Sequence, residues 1–308
     1  MNDDPHAEYR EVQAHFRLPS VGLVEKDVHV VRAIRAVASI DATPFTLVFG
    51  GGTALARAHK IVRRMSEDAD FKIVAPTAPT GRNILRQQLS HLRRRATEAL
   101  CAAGFVFGAY AVKSRNESRY TIFQLPYPES VASEGLRPTV QIELTYAALR
   151  LPPVVLPISS FVSEAFCRVP EIPSMPCVCV AETAAEKLVS LTRRTAMDLA
   201  GLSRDADPTL VRHIYDLHIM RDLVDVDVVV ALATDIAASD AAEFRNQYPA
   251  YVADSAGETR KAINALRSVP AYRERYDSFV AAMVYGEQAS FVDAMTTVTS
   301  LVGRWLGS

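Results

Sequence analysis

The stretch from Phe45 to Val74, FTLVFGGGTALARAHKIVRRMSEDADFKIV, decides how the chain is read. Phe45–Phe49 is a short β-rich run, closed by Gly50, Gly51 and Gly52. Thr53 suits the N-cap of a helix that Ala, Leu and Arg residues predict through Arg64. Beyond Ser66, apolar Ala69, Phe71 and Ile73 alternate with Asp68, Asp70 and Lys72, the two-residue period of a strand.

This order of turn, helix and acidic strand carries a chemical meaning. A glycine turn lets backbone N–H groups come close to a phosphate, although a tight strand–helix turn needs glycine too. No Gly-Lys-Ser/Thr follows, and Leu55 stands where the dinucleotide fingerprint has its third glycine, so neither familiar phosphate loop fits. On a strand Asp68 and Asp70 project to one face. Two carboxylates there repel unless a cation bridges them, and Mg²⁺ takes carboxylate and phosphate oxygens together. The alternative is a solvated strand edge. A third acid, Glu143, alternates with Ile142 and Leu144 in a later strand (TVQIELT, Thr139–Thr145) and is a candidate third metal ligand.

Outward from this stretch, charge is segregated. Arg57 to Arg95 holds ten Lys/Arg against three Asp/Glu, a balance of +7, whereas Asp222 to Arg260 holds eight acids and two bases, a balance of −6. The first region suits a polyanionic ligand, or else both are solvated helix faces. The overall net charge of −1 argues against a protein basic throughout. Cys101, Cys167, Cys177 and Cys179 lack the paired spacing of a zinc site, and a chain of 308 residues needs no disulfide scaffold. The polar N-terminus does not read as a signal peptide, and no apolar run approaches the roughly 18–20 residues of a membrane span. These features predict a reduced, cytoplasmic protein without a membrane partner.

The length suggests two domains at about 100–200 residues each. Val24–Ile40 has apolar residues at helical spacing with charges opposite. Pro76–Gly81 is predicted as a loop and Arg82–Ala103 as a long helix with five arginines. Phe105–Val112 and Tyr120–Leu125 are predicted as strands, and Leu151–Pro176 as the connection out of the first domain. Beyond Val180 the periods become helical: Thr183–Arg194, Leu210–Leu223, Val226–Ala238 and Phe279–Leu306. The fold expectation is α/β (α+β): a nucleotide-handling core with a mixed sheet over residues 1–160, and a mainly helical domain over residues 161–308.

The conjunction of strand, glycine turn, helix, D-x-D strand and later acidic strand resembles the core of polymerase-β-like nucleotidyltransferases. A narrower likeness covers Val24 to Tyr285. Gly51-Gly52-Thr53-Ala54-Leu55 with Arg64-Met-Ser66-Glu-Asp68-Ala-Asp70-Phe71 resembles the first motif of the AbiEii/AbiGii toxin family, which includes MenA-type toxins. Gln141-Ile-Glu143-Leu resembles the second, Ala185-Glu186-Lys187-Leu188-Val189 the third, and Arg212-His-Ile-Tyr215-Asp216-Leu217 the fourth. The polar segment from Arg194 to Leu210 separates the last two. The resemblance implies that Asp68 and Asp70 bind Mg²⁺ and that Gly51, Gly52, Thr53, Ser66 and Lys187 hold the triphosphate of an NTP. It makes Lys187 and Asp216 the further active-site positions.

A lysine inside the apolar run Ala184–Val189 either snorkels to solvent or faces a ligand. Asp216 either pairs with Arg212 on a helix surface or serves the attacking hydroxyl. His213 and His218 lack the spacing of a metal pair. Arg93, Arg94 and Arg95 are either a solvated face or a contact to RNA phosphates. The implied activity is Mg²⁺-dependent transfer of a nucleoside monophosphate to RNA, a tRNA 3′ end by family analogy. The implied partner is a separately encoded antitoxin. A small-molecule or protein acceptor, or a silent nucleotide-binding protein, are the alternatives.

Overall fold

A computed structural model describes residues 5–76, 81–130, 135–203 and 207–307. Most of the predicted loop, at 77–80, lies outside these residues, as do 204–206 within the polar segment. The chain divides into two compact units, Met1–Cys179 and Val180–Ser308.

The first unit carries one seven-stranded mixed sheet. Two helices, α1 (Pro5–Phe16) and α2 (Val21–Ala38), precede β1 (Thr46–Gly50); α3 (Gly51–Arg57) then leads to β2 (Asp68–Val74). After α4 (Arg82–Ala102) come β3 (Val112–Arg115), β4 (Tyr120–Pro126) and β5 (Thr139–Tyr146), then β6 (Val154–Ile158), α5 (Phe161–Ala165) and β7 (Ile172–Cys177). The strand order is β3-β4-β5-β2-β1-β7-β6. β2 runs antiparallel to β1 and parallel to β5. Residues 161–179 therefore belong with this sheet, because β7 lies beside β1 and Val178 N–H donates to Phe49 O at 2.8 Å. The division falls at 179/180 rather than 160/161.

Alternation explains what the sheet buries. Ala69, Phe71 and Ile73 of β2 and Val140, Ile142 and Leu144 of β5 are all buried. Helix α2 packs on β2, β5 and β7, and α4 packs on α2. Along α4, Leu85, Leu89, Leu92, Ala96 and Leu100 form the buried stripe, each leucine contributing about 1.5–3 kcal/mol. On the other face of the sheet Asp68, Asp70 and Lys72 are only half-buried.

Four sequence expectations change. The helix after the glycines ends at Arg57 instead of Arg64, where His59 N–H bonds Ala54 O and Lys60 takes a φ of 58°. Phe105–Val112 is not a strand; β3 starts at Val112, because only from there does β4 offer a pairing partner. Glu25, Lys26 and Asp27 are buried rather than set opposite the apolar face of α2. Phe279–Leu306 is not one helix: the helix ends at Met283 and another starts at Phe291, with Tyr276 Oη donating to Ala289 O at 3.0 Å across the break.

The second unit is helical. It comprises α6 (Val180–Leu199), α7 (Arg212–Met220), α8 (Val226–Glu243), α9 (Pro249–Ala253), α10 (Ser255–Ser268), α11 (Pro270–Met283) and α12 (Phe291–Leu306). Helix α6 packs against α7, α8 and α10, and α12 packs against α7 and α8. Leu188, Val189, Leu191, Ile214, Leu217, Val229, Leu266 and Val298 are buried among these helices.

Candidate active site

The glycine turn and the acidic strand meet more closely than spacing alone foretells. Gly51 has a φ of +70°, and a Cβ there would lie 1.9 Å from Asp70 Oδ2. A Cβ on Gly52 would lie 2.2 Å from an Arg64 guanidinium nitrogen and 3.4 Å from Ser66 Oγ. Both positions are glycine because side chains of the acidic motif fill the space. The register places Gly50 opposite Asp70, so β1 delivers the turn directly to the carboxylate. Thr53, predicted as an N-cap, instead donates its hydroxyl to Asp68 O. Gly50 is the residue at the cap. Thr53 thereby ties the first turn of α3 to the first residue of β2.

Asp68 and Asp70 share one face of β2. Parallel pairing sets Gln141 beside Asp68 and Glu143 beside Asp70, so Glu143 projects to the same side. Its two oxygens accept hydrogen bonds from Tyr120 Oη at 2.8 Å and Gln141 Nε2 at 2.6 Å. Burial, with the Glu143 charge beside it, raises the Tyr120 hydroxyl above its ordinary pKa and keeps it a donor.

A residue outside the quoted motifs also enters. The Arg137 guanidinium hydrogen-bonds Asp68 Oδ1, its Nε is 3.6 Å from Glu67 Oε2, and its backbone N–H donates to Glu67 Oε1 at 2.7 Å. Behind it lies Lys26, fully buried, whose Nζ donates to Arg137 O at 2.5 Å and Thr139 O at 2.7 Å and is 3.5 Å from Glu67 Oε1. Desolvation brings the Lys26 pKa down to about 8, against the pull of Glu67. The chain Lys26–Glu67–Arg137–Asp68 runs from the core to the acidic face. An arginine just before a proline carries no sequence signal for such a role.

Among the described residues, no group of three or more His, Cys, Asp or Glu side chains is gathered as a metal cage. Asp68 and Asp70 do suit a hard divalent cation that takes its other ligands from water and phosphate, because both offer carboxylate oxygens from one face.

The second unit holds the remaining pair. Lys187 Nζ on α6 is 2.8 Å from Asp216 Oδ2 on α7, and both residues are buried. Lys187 thus does not snorkel, and Asp216 is not on a helix surface. His213, one turn before Asp216, sets its Nδ1 3.2 Å from Lys187 O. Burial, reinforced by the Lys187 charge, brings the His213 pKa down to about 3. The ring is neutral at physiological pH, so it adds no positive charge beside the pair.

Residues 32–297 match the profile of a family described as "Nucleotidyl transferase AbiEii toxin, Type IV TA system". The chain belongs to the AbiEii family. The match spans both units, so the acidic strand and the Lys187–Asp216 pair lie within one family sequence. As an AbiEii protein it is a nucleotidyltransferase toxin of a type IV toxin–antitoxin system, with nucleotide as substrate and a separate antitoxin as partner. In structure it is similar to "MenT4, nucleotidyltransferase toxin Rv2826c from Mycobacterium tuberculosis H37Rv". That match has 20% sequence identity and a TM-score of 0.47, and covers 73% of this chain and 68% of that one. No curated protein matches the chain. No helix among the described residues is long and apolar enough to cross a membrane.

Proposed function

We propose that this AbiEii protein transfers a nucleoside monophosphate from an NTP to an RNA hydroxyl, at a tRNA 3′ end, and thereby stops translation in the cytoplasm. The observation that carries the reading is the seating of Asp70 in the space a Gly51 side chain would need, with Asp68 on the same strand face. Glycine backbone and paired carboxylates at one point suit a triphosphate and its cation.

In this reading Asp68 and Asp70 hold Mg²⁺, with Glu143 on the same face as the third acid. When bound, the cation polarises the phosphate oxygens and neutralises charge that develops on the leaving group. The Gly51–Gly52 backbone, Thr53 and Ser66 bind and orient the triphosphate. The acceptor oxygen forms a bond to the α-phosphorus as the bond to the bridging oxygen breaks, and pyrophosphate leaves. The hydroxyl proton passes to a base, for which Asp216 is the proposed acceptor or orienting group. Lys187 supplies positive charge to the departing phosphates. Its pairing with Asp216 supports this use, since it fixes the ammonium in one place without a bound nucleotide.

The test is incubation of the protein with each α-labelled NTP and total RNA, followed by separation of RNA, protein and small molecules. Label in tRNA with one NTP, and none with Asp68→Ala, is the expected result. Label in protein or in a small molecule assigns a different acceptor. No label with any of the four NTPs overturns the RNA reading.

A further inference from the structure

We infer that Arg137 is a resident counter-ion that competes with the divalent cation for Asp68 and, by yielding to a triphosphate, makes cation and nucleotide bind together. The inference rests on the reading of Asp68 and Asp70 as cation ligands.

Asp68 and Asp70 share a strand face, and Glu143 projects beside them from β5. Carboxylates set together without a cation each raise the cost of ionising the other. Arg137 offsets part of that charge by bonding Asp68 Oδ1. A cation that seeks the same oxygen must displace the guanidinium or bind against its charge. Either path weakens its binding to the nucleotide-free protein.

Arg137 is also built to let go. Its side chain is 38% exposed, whereas Lys26 and Glu67 behind it are 0% and 2% exposed. The buried pair fixes the backbone of Arg137, through Lys26 to its carbonyl and Glu67 to its N–H, and leaves the guanidinium at the open end. Its Nε is buried with no hydrogen-bond partner; Glu67 Oε2, at 3.6 Å, is too far to accept one. The fork is therefore incompletely satisfied where it stands. Guanidinium geometry matches phosphate as well as carboxylate, so a triphosphate offers it an equivalent partner while freeing Asp68. Because linkage is reciprocal, the nucleotide then tightens the cation by the same factor as the cation tightens the nucleotide.

The test reads metal binding, not turnover. Mn²⁺ is titrated into the full chain and free Mn²⁺ is counted by electron paramagnetic resonance, with and without a non-hydrolysable NTP analogue. For the wild type we expect weak Mn²⁺ binding alone and about tenfold tighter binding with the analogue. In Arg137→Gln, Mn²⁺ alone should bind about tenfold tighter than in the wild type, and the analogue should add little. Arg137→Lys, which keeps the charge without the fork, should fall between. Adding Asp68→Asn to Arg137→Gln should remove the gain. Equal or weaker Mn²⁺ binding in a folded Arg137→Gln protein overturns the proposal while leaving the metal reading intact. So does a wild type in which the analogue leaves Mn²⁺ affinity unchanged, a result that needs no variant to fold. Mn²⁺ binding that Asp68→Asn does not alter overturns the metal reading itself.

Discussion

The two units each hold a buried lysine bound to an acid, and they use it differently. In the second unit Lys187 and Asp216 are buried together, and the neutral His213 beside them adds no competing charge. In the first unit Lys26 is only the inner end of a chain of charges that continues through Glu67 and Arg137 to the half-buried Asp68. The first arrangement is closed and holds one ammonium in one orientation. The second is anchored at one end and open at the other. Burial of both partners serves constancy; a buried foot with an exposed head serves exchange.

The contrast breaks most clearly on Asp68. Asp68→Ala removes an exposed-end partner, so it should cost less than about 1 kcal/mol of stability in urea unfolding. Under the proposed function label transfer should fall on the order of 10³-fold. Loss of stability comparable to the loss of transfer would make Asp68 structural. Under the proposed function Asp216→Ala should lower transfer and stability together. It strands the buried Lys187 charge and should cost about 3–5 kcal/mol, read as a lowered midpoint for the helical unit.

The His213 ring sharpens the closed side. Its folded pKa lies below the unfolded value, so the unfolded chain takes up more protons as pH falls below about 6.5. The stability it provides is complete above that pH and is lost on going down toward about 3. Between pH 7 and pH 5 the loss should be about 2 kcal/mol, and His213→Asn should flatten the profile. A smaller loss of transfer than at Asp68 is expected at the turn. Gly51→Ala adds about 1–2 kcal/mol of left-handed strain. The new methyl would also push Asp70 aside, since Oδ2, Cγ and Cβ of that side chain would lie 1.9, 2.8 and 3.1 Å from it. Transfer should therefore drop by about 10²-fold. Unchanged transfer in Gly51→Ala would remove Asp70 from the site.

Sequence foretold the parts of the acidic face that period and chirality dictate. Alternation from Asp68 to Val74 fixes which residues face together, and the glycines mark a bend whose backbone others avoid. The paired strand β5 was readable for the same reason, because Val140, Ile142 and Leu144 alternate with Gln141 and Glu143. What depends on distant partners was not readable. Glu25, Lys26 and Asp27 look like a solvated helix start until Ser130, Glu67 and Phe161 are brought to them by the fold. Arg137 has no local pattern at all. Phe105 and Phe107 with exposed Val106 mimic a strand, yet ladder pairing in this part of the sheet begins only at Val112. The end of α3 was obscured because Ala-Arg-Ala-His-Lys favours continuing a helix, while the chain must reverse to reach β2.

The sheet's outer strands carry one more consequence. β3 is only four residues long and presents Lys113 and Arg115, and β6 contains Pro157, which has no amide hydrogen to offer a neighbour. A stray strand seeking to extend the ladder would meet charge at one margin and a missing donor at the other. The scaffold is thus guarded against fibrous association at both borders of its sheet.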